Sequence, residues 1–191
     1  MSPTVALLRV LSLVALASPM CVPRRRPAPE NRRPPDKTAH TRLAVCANFG
    51  AFGLFFPALF VFSGSTHGPR ALALGRAGCA MAVTGAVIVW KSRVALGPAW
   101  SLVPKAREQT GVITSGPYRL VRHPMYLGWS LVAIGQAVAF ASAPALLMVL
   151  TGVIPSFVWR ACEEERVLVS VFGEHYVSYR KQTKMFVPYV L

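Results

Sequence analysis

The lysines and arginines of this chain are gathered into three blocks, and long apolar runs separate the blocks. Of 21 basic residues, seven lie within 24–42, six within 91–122 and five within 160–184, and only Arg9, Arg70 and Arg76 fall elsewhere. A chain threaded through a bilayer can keep charge only where its backbone leaves the hydrocarbon, and it concentrates Lys and Arg in the loops of one side. Composition agrees, with 53% hydrophobic and 15% charged residues, where an ordinary soluble domain carries about 25% charged residues. A formal net charge of +14 would otherwise raise nucleic acid as a partner. The alternation of basic blocks with apolar runs accounts for the charge without it, so the expected partner is the lipid bilayer, with no nucleic acid.

Windows of about 20 residues, the length of helix that crosses a bilayer, give about five membrane segments. Residues 3–21 form the first, residues 22–42 a basic linker rich in Pro and Arg, and residues 43–62 and 71–90 two further helices. A long polar stretch then leads to a hairpin of residues 127–141 and 145–159 across Ser142-Ala143-Pro144. Each arm is short for a full span, which implies a tilted or partly inserted hairpin. The tail reads as a helix from Arg160 to about Phe172, stopped by Gly173, then an amphipathic piece with Tyr176 and Tyr179. The expectation is an all-α, multi-pass integral membrane protein in four parts: residues 1–21, 22–42, 43–90 and a functional region 91–191. With the 22–42 linker in the cytoplasm, counting crossings puts all three basic blocks on that side. Ala15-Leu16-Ala17 before Ser18 also resembles a signal-peptide cleavage site. Cleavage would leave seven basic residues on the outer side, so a retained first helix is expected. Gly50-x-x-Gly53 and Gly75-x-x-Gly78 lack the spacing of a helix-dimer motif and are read as places of close packing. Cys21, Cys46, Cys79 and Cys162 form no Cys-x-x-Cys pair, so neither zinc nor a disulfide framework is expected.

Two polar clusters flank the hairpin. One is Arg119-Leu120-Val121-Arg122-His123-Pro124-Met125-Tyr126, directly before the first arm. The other is Arg160-Ala161-Cys162-Glu163-Glu164-Glu165-Arg166, directly after the second. So many ionisable groups at the mouth of a membrane hairpin point to a binding site, because charge at that depth is costly unless it is used. Arg160 and Glu164 share a helix face, Glu163 pairs with Arg166 one turn on, and Glu165 points away. Pro124 suits the first position of a helix, which puts His123 at its cap and Tyr126 one turn inside. The competing reading is structural: His123 caps, Tyr126 anchors at the interface, and Arg119 and Arg122 touch lipid phosphates. No glycine-rich dinucleotide turn, phosphate loop or nucleophile elbow occurs. Any cofactor must therefore lie between the polar segments and the hairpin, on the cytoplasmic side.

Thr114-Ser115-Gly116-Pro117-Tyr118, Arg122-His123-Pro124-Met125-Tyr126-Leu127-Gly128, the run Arg160 to Glu165, and Phe172-Gly173-Glu174-x-Tyr176-x-x-Tyr179 with Pro188 resemble the isoprenylcysteine carboxyl methyltransferase family. Related phospholipid methyltransferases share the pattern more loosely. The resemblance covers about residues 90–191. It implies a membrane enzyme that uses S-adenosylmethionine outside any dinucleotide-binding fold. It also implies that Tyr118, His123, Pro124, Met125, Tyr126 and Glu164 contact the cofactor and that Thr110, Gly111, Val112 and Ile113 lie along it. Arg160 falls where the family has a substrate-facing arginine. Thr110 stands where many members have histidine, and Val103 where a polar residue can occur.

The chemistry of such a site divides by acceptor. A carboxylate is already ionised at neutral pH, its pKa lying near ~4, so transfer needs positioning and no base, with Arg160 orienting the anion. An amine of a phospholipid, or a thiol, would need a proton removed, and His123 is the nearby candidate. Carboxyl O-methylation of a lipidic or small membrane-partitioned acceptor is the expected activity. The alternatives are N- or S-methyl transfer, a steroid-reductase-like enzyme using NADPH, and a basic module that only binds anionic lipid.

Overall fold

The computed structural model describes residues 2–17, 39–65, 67–97 and 111–186, with only the backbone of 16–17 and 39–41. Among these residues the fold is helical, and the one strand-like contact is an isolated bridge between Val121 and Lys184. Helix α1 spans Pro3–Ala17, α2 Ala39–Val61 and α3 Gly68–Leu96. A 3-10 turn at Gly116–Arg119 leads into α4, Pro124–Ala139. Then α5, Ala143–Met148, passes through a π turn, Val149–Val153, into α6, Ile154–Phe172. A last short helix, α7, covers Glu174–Gln182. Three helical stretches are long and apolar enough to cross a membrane: Arg42–Val61, Gly68–Leu96 and Ala143–Phe172. Helices α1 and α4, with 15 and 16 residues, are shorter.

The second hairpin arm differs from its sequence reading. It and the tail helix are one rod of 30 residues, whereas hydropathy fades at Trp159 and divides the rod in two. The rod buries Ala145, Val149, Val153, Phe157 and Ala161, every fourth residue over four steps. A pure α-helix overshoots by about 40° on each such step, and the wider π turn takes back part of that drift. Arg160 and Glu164 thus stay on the side of the rod that packs on α2 and α4. At the far end Gly173, at φ +53°, stops the helix at Phe172 as the sequence predicts.

Helices α3 and α4 pack backbone to backbone. A Cβ on Gly78 would lie 2.4 Å from the Gly135 carbonyl oxygen and the Ala139 nitrogen, and one on Gly85 would lie 2.5 Å from the Gly128 carbonyl oxygen. Added to Gly128 or Gly135, it would meet the opposite helix at 2.6 Å. The contact is thus carried by two glycines seven residues apart on each helix, antiparallel. Without a hydrophobic drive between helices in lipid, such small-residue contacts are a main source of association. The Gly50 and Gly53 pair has no neighbour within 4 Å, against the expectation of close packing there, and Gly75 meets Leu8 instead.

At one end of the bundle, the end of α2, the starts of α3 and α5 and the end of α4 meet. The Gly64 amide donates to the Phe140 carbonyl at 2.8 Å, and the Ser142 hydroxyl to the Ala58 carbonyl at 3.2 Å. Arg9 closes this end from α1. Its guanidinium donates to the carbonyls of Ala139 at 3.2 Å, Phe140 at 3.2 Å and Gly64 at 3.0 Å, and lies over the Phe140 ring. The first two carbonyls belong to the last turn of α4, where a helix lacks internal donors and favours a cation. The residue that interrupts the first apolar run is therefore the one that fixes α1 to the hairpin tip. Leu54, Val61 and Leu147, all more than 60% exposed, belong to a sheath of apolar side chains that face outward.

The tail folds back onto the other end. The Arg122 and His123 amides donate to the carbonyls of Lys184 and Met185 at 2.8 and 3.0 Å. The Tyr179 hydroxyl donates to the Tyr118 carbonyl at 2.6 Å, and Tyr176 is buried beside it.

Two outcomes follow from this packing. Gly78→Ala drives a methyl into backbone, so thermal denaturation in detergent will show a loss of about 1–3 kcal/mol. Gly50→Ala, in open space, will be neutral or gain up to about 1 kcal/mol from helix propensity; equal behaviour of the two would contradict the close contact. Burial pushes the Tyr179 phenol up to about 12. With the folded value above the unfolded one of about 10, its contribution is full below pH 10 and is lost as pH rises toward 12. The stability difference between wild type and Tyr179→Phe, about 1 kcal/mol at neutral pH, will stay constant to about pH 10 and then shrink.

Candidate functional site

The second end of the bundle gathers the ionisable residues. Pro124 starts α4 with its fixed φ, and His123 occupies the cap position at φ −122°, ψ 58°. Its side chain makes no capping hydrogen bond, against the expectation that it caps. The ring instead lies between two neighbouring carboxylates of α6, with Nδ1 3.7 Å from Glu164 Oε2 and Nε2 3.3 Å from Glu165 Oε1. The two clusters that flank the hairpin in sequence thus meet across the start of α4 and the upper half of α6.

Glu164 is the hub on the membrane side. Its Oε1 accepts a short hydrogen bond from the Tyr126 hydroxyl and lies 3.6 Å from Arg160 Nε one turn below. The Arg160 guanidinium sits 5.7 Å from the centre of the Tyr126 ring, within cation–π range. Arg160 is 8% exposed, while the Glu164 side chain is 21% exposed, so this carboxylate stays reachable. An aromatic column runs through the same place. His123 stacks on Tyr126 at 5.6 Å and 12°, Tyr126 on Phe157 at 5.1 Å and 19°, and Phe157 meets Phe52 of α2 at 5.8 Å. Phe186 of the tail closes over the other side of His123 at 5.9 Å.

Glu165 does not point away, as its helix position implied. Its side chain is only 5% exposed, and it accepts from Arg122 Nε at 2.7 Å, with Arg180 Nε 3.3 Å from its other oxygen. Arg122 also donates to the carbonyls of Arg180 and Thr183, so it belongs to the interior and not to lipid phosphates. The sequence carried one signal for this. Three of only seven acidic residues stand together at 163–165 in a chain with 21 basic ones, and a carboxylate so outnumbered is drawn into ion pairs. Glu163 follows expectation and pairs with Arg166.

The remaining candidates separate. Tyr118 is buried, and burial with Glu164 nearby raises its phenol well above the usual range, which leaves it a neutral donor. Pro124 is buried, whereas Met125 is half-buried next to the cluster. Gly111, at φ +63°, precedes Val112 and Ile113 in an extended, partly exposed segment. Gly116 lies against the end of α3, where a Cβ added to it would sit 3.5 Å from the Ala95 side chain. Thr110, Val103 and Pro188 lie outside the described residues.

Several known proteins are similar to this chain. The protein-S-isoprenylcysteine O-methyltransferase of Xenopus laevis is 34% identical over 79 residues, 41% of this chain and 27% of that protein. The A form from Arabidopsis thaliana is 29% identical over 115 residues, 59% of this chain and 58% of that protein. The methanethiol S-methyltransferase of Crocosphaera subtropica is 35% identical over 77 residues, 38% of this chain and 28% of that protein. The matches thus span between about a quarter and three-fifths of these relatives' lengths. The solved structure of a eukaryotic intramembrane Ras methyltransferase, an isoprenylcysteine carboxyl methyltransferase, has the same fold at a TM-score of 0.54 and 19% identity, covering 98% of this chain and 64% of that one. The sequence profile of the phospholipid methyltransferase family matches residues 74–175, from the second turn of α3 to the start of α7 and so over the whole of both clusters. Because that match takes in just over half of the 191 residues, the chain belongs to the phospholipid methyltransferase family.

Proposed function

We propose that this chain is a membrane-embedded, S-adenosylmethionine-dependent methyltransferase that esterifies a carboxylate on a lipidic or membrane-partitioned acceptor, with its site facing the cytoplasm. The observation that carries this reading is the meeting of Glu164, His123, Tyr126 and Arg160 at one end of the bundle. S-adenosylmethionine, when bound, supplies an electrophilic methyl group on a sulfonium cation. The donor set fits such a molecule: a reachable carboxylate for an ammonium group, held in place by the aromatic column of His123, Tyr126 and Phe157 behind it. The backbone of Gly111, Val112 and Ile113 and the buried ring of Tyr118 would frame it, with Pro124 and Met125 at the start of α4.

Arg160 lies one turn deeper toward the membrane than Glu164, on the same face. It is placed to orient an acceptor carboxylate that arrives from the lipid side, through charge-assisted hydrogen bonds. A carboxylate needs no proton removed, so the work of the residues is to bind, align and exclude water. His123 supports this acceptor over an amine or thiol. Both of its ring nitrogens face carboxylates and its side chain is 5% exposed, which leaves it poorly placed to take a proton from an acceptor. The acceptor named in the isoprenylcysteine relatives is a carboxyl of this kind. The basic stretches 22–42, 91–122 and 160–184 belong at the cytoplasmic leaflet by the charge bias of membrane loops, and the site lies among the last two.

Purified protein in detergent, given labelled donor and a panel of carboxylate, amine and thiol acceptors, will label the carboxylate class. Labelling of thiols or amines alone would overturn the ester reading. Glu164→Gln will weaken donor binding about tenfold by calorimetry, the scale of one charge-assisted hydrogen bond; an unchanged Kd would remove Glu164 from the donor site. Arg160→Ala will raise KM for an anionic acceptor about ten- to a hundredfold and leave the donor Kd within about threefold. Unchanged acceptor kinetics would take Arg160 out of the acceptor site.

A further inference from the structure

At the end of the bundle opposite Glu164 there is an open cavity of about 560 Å³ between the start of α3 and the α4–α5 turn. Its walls are small or aliphatic, among them Ala71, Leu74, Val138 and Leu146, and its rim carries His67 and Arg70. The walls are held in place. Arg9 and the bond from the Gly64 amide to the Phe140 carbonyl clamp the α2–α3 loop onto the α4–α5 turn. A Cβ on Gly64 would lie 2.9 Å from Ala141, and Ala141 itself sits at φ +50°.

Charge and depth identify the occupant. Residues 37–107 and 109–162 contain no aspartate or glutamate, so neither wall offers Arg70 a carboxylate. The 29 residues of α3 measure about 43 Å at 1.5 Å per residue, longer than a hydrocarbon core of about 30 Å. Centring the core on the run 71–90, whose one charged residue, Arg76, is exposed and reaches the headgroups by snorkelling, places Arg70 at headgroup level and Leu74 inside the hydrocarbon. The cavity is therefore cationic at phosphate depth and apolar at acyl-chain depth. We propose that it binds one anionic phospholipid, its phosphate against Arg70 and His67 and an acyl chain over Leu74, Val138 and Leu146. Because it lies at the far end of the helices from Glu164, this lipid is a bound component of the fold and not the methyl acceptor.

Native mass spectrometry of the full chain tests this, after detergent exchange and titration with phosphatidylglycerol or phosphatidylcholine of identical chains. One phosphatidylglycerol will stay on the wild type, and phosphatidylcholine will not. Arg70→Gln will lower retention about fivefold, the factor that corresponds to about 1 kcal/mol per basic group at an anionic headgroup. Leu146→Trp, which fills the apolar part, will lower retention of either lipid. Wild-type melting temperature in lipid-free detergent will confirm that both variants are folded. Equal retention of the two lipids, or unchanged retention in Arg70→Gln, would make the cavity a place for belt lipid only and overturn the proposal. A lipid-free dimer that Leu146→Trp dissociates would overturn it in favour of a second copy of the chain. No outcome depends on methyl transfer, since Arg70 lies outside that site.

Discussion

The buried carboxylate of Glu165 is the constraint around which the polar end of this molecule is arranged. A carboxylate taken out of water is costly unless several donors replace the lost hydration. Here the donors come from two separate segments, Arg122 and His123 before α4 and Arg180 of α7, while α6 carries the carboxylate. Satisfying one charge therefore fixes the loop before α4, the end of the long rod and the tail relative to one another. The tail adds backbone bonds to the same loop, so the clamp does not rest on ion pairs alone. Glu164, the next residue back along α6, then has its direction set for it. It turns to the other nitrogen of His123 and to Tyr126, away from the two arginines that hold its neighbour.

That arrangement works only if α4 delivers His123 and Tyr126 at the height of α6, and the glycine contact with α3 does this. An antiparallel pair that touches through backbone has little freedom to slide, because each glycine opposes the backbone or a small side chain of the other helix. Arg9 fixes the opposite end of the same helix by covering its last carbonyls. Helix α4 is thus pinned at both ends, although with 16 residues it is short for a bilayer. The π turn in the rod serves the same alignment from the other side. It keeps Phe157 and Ala161 on the buried stripe, which holds Arg160 and Glu164 close to Tyr126.

What the amino-acid pattern revealed and what it hid divide along physical lines. The apolar runs and the stop at Gly173 were legible because each is a local property, a length of hydrophobic chain or a positive φ that suits glycine. The convergence of His123 with Glu164 was legible because ionisable residues at the mouth of a hairpin have few other places to go. The continuity of the rod was hidden, since hydropathy falls at Trp159 while the helix, which depends on backbone bonds, continues to Phe172. Of the glycine contact only Gly78 was legible, through its pair with Gly75; the seven-residue spacing to Gly85 matches no short motif, and the other pair that drew notice, Gly50 and Gly53, faces open space. Glu165 was misread for a different reason. A helical wheel gives the direction of a side chain on its own helix, but the loop and tail that wrap around the rod bring Arg122 and Arg180 to the side where it points.

The division between the matched and unmatched parts of the chain bears on specificity. The family profile covers residues 74–175, so α1 and α2 lie outside it while Arg122, His123, Tyr126, Arg160, Glu164 and Glu165 lie inside. Yet α2 is not remote from the site. Phe52 meets Phe157, and Phe157 stacks on Tyr126, while Asn48 donates to Ser156 one turn below Arg160. The wall that faces the lipid side of Arg160 is therefore built partly by a helix that the family profile does not cover. Relatives named for a prenylated cysteine and for methanethiol, acceptors of very different size, match this chain over similar lengths. A shared polar end with a variable apolar wall suits that range of acceptors, because the volume that must be excluded from water beside them changes a great deal with their size.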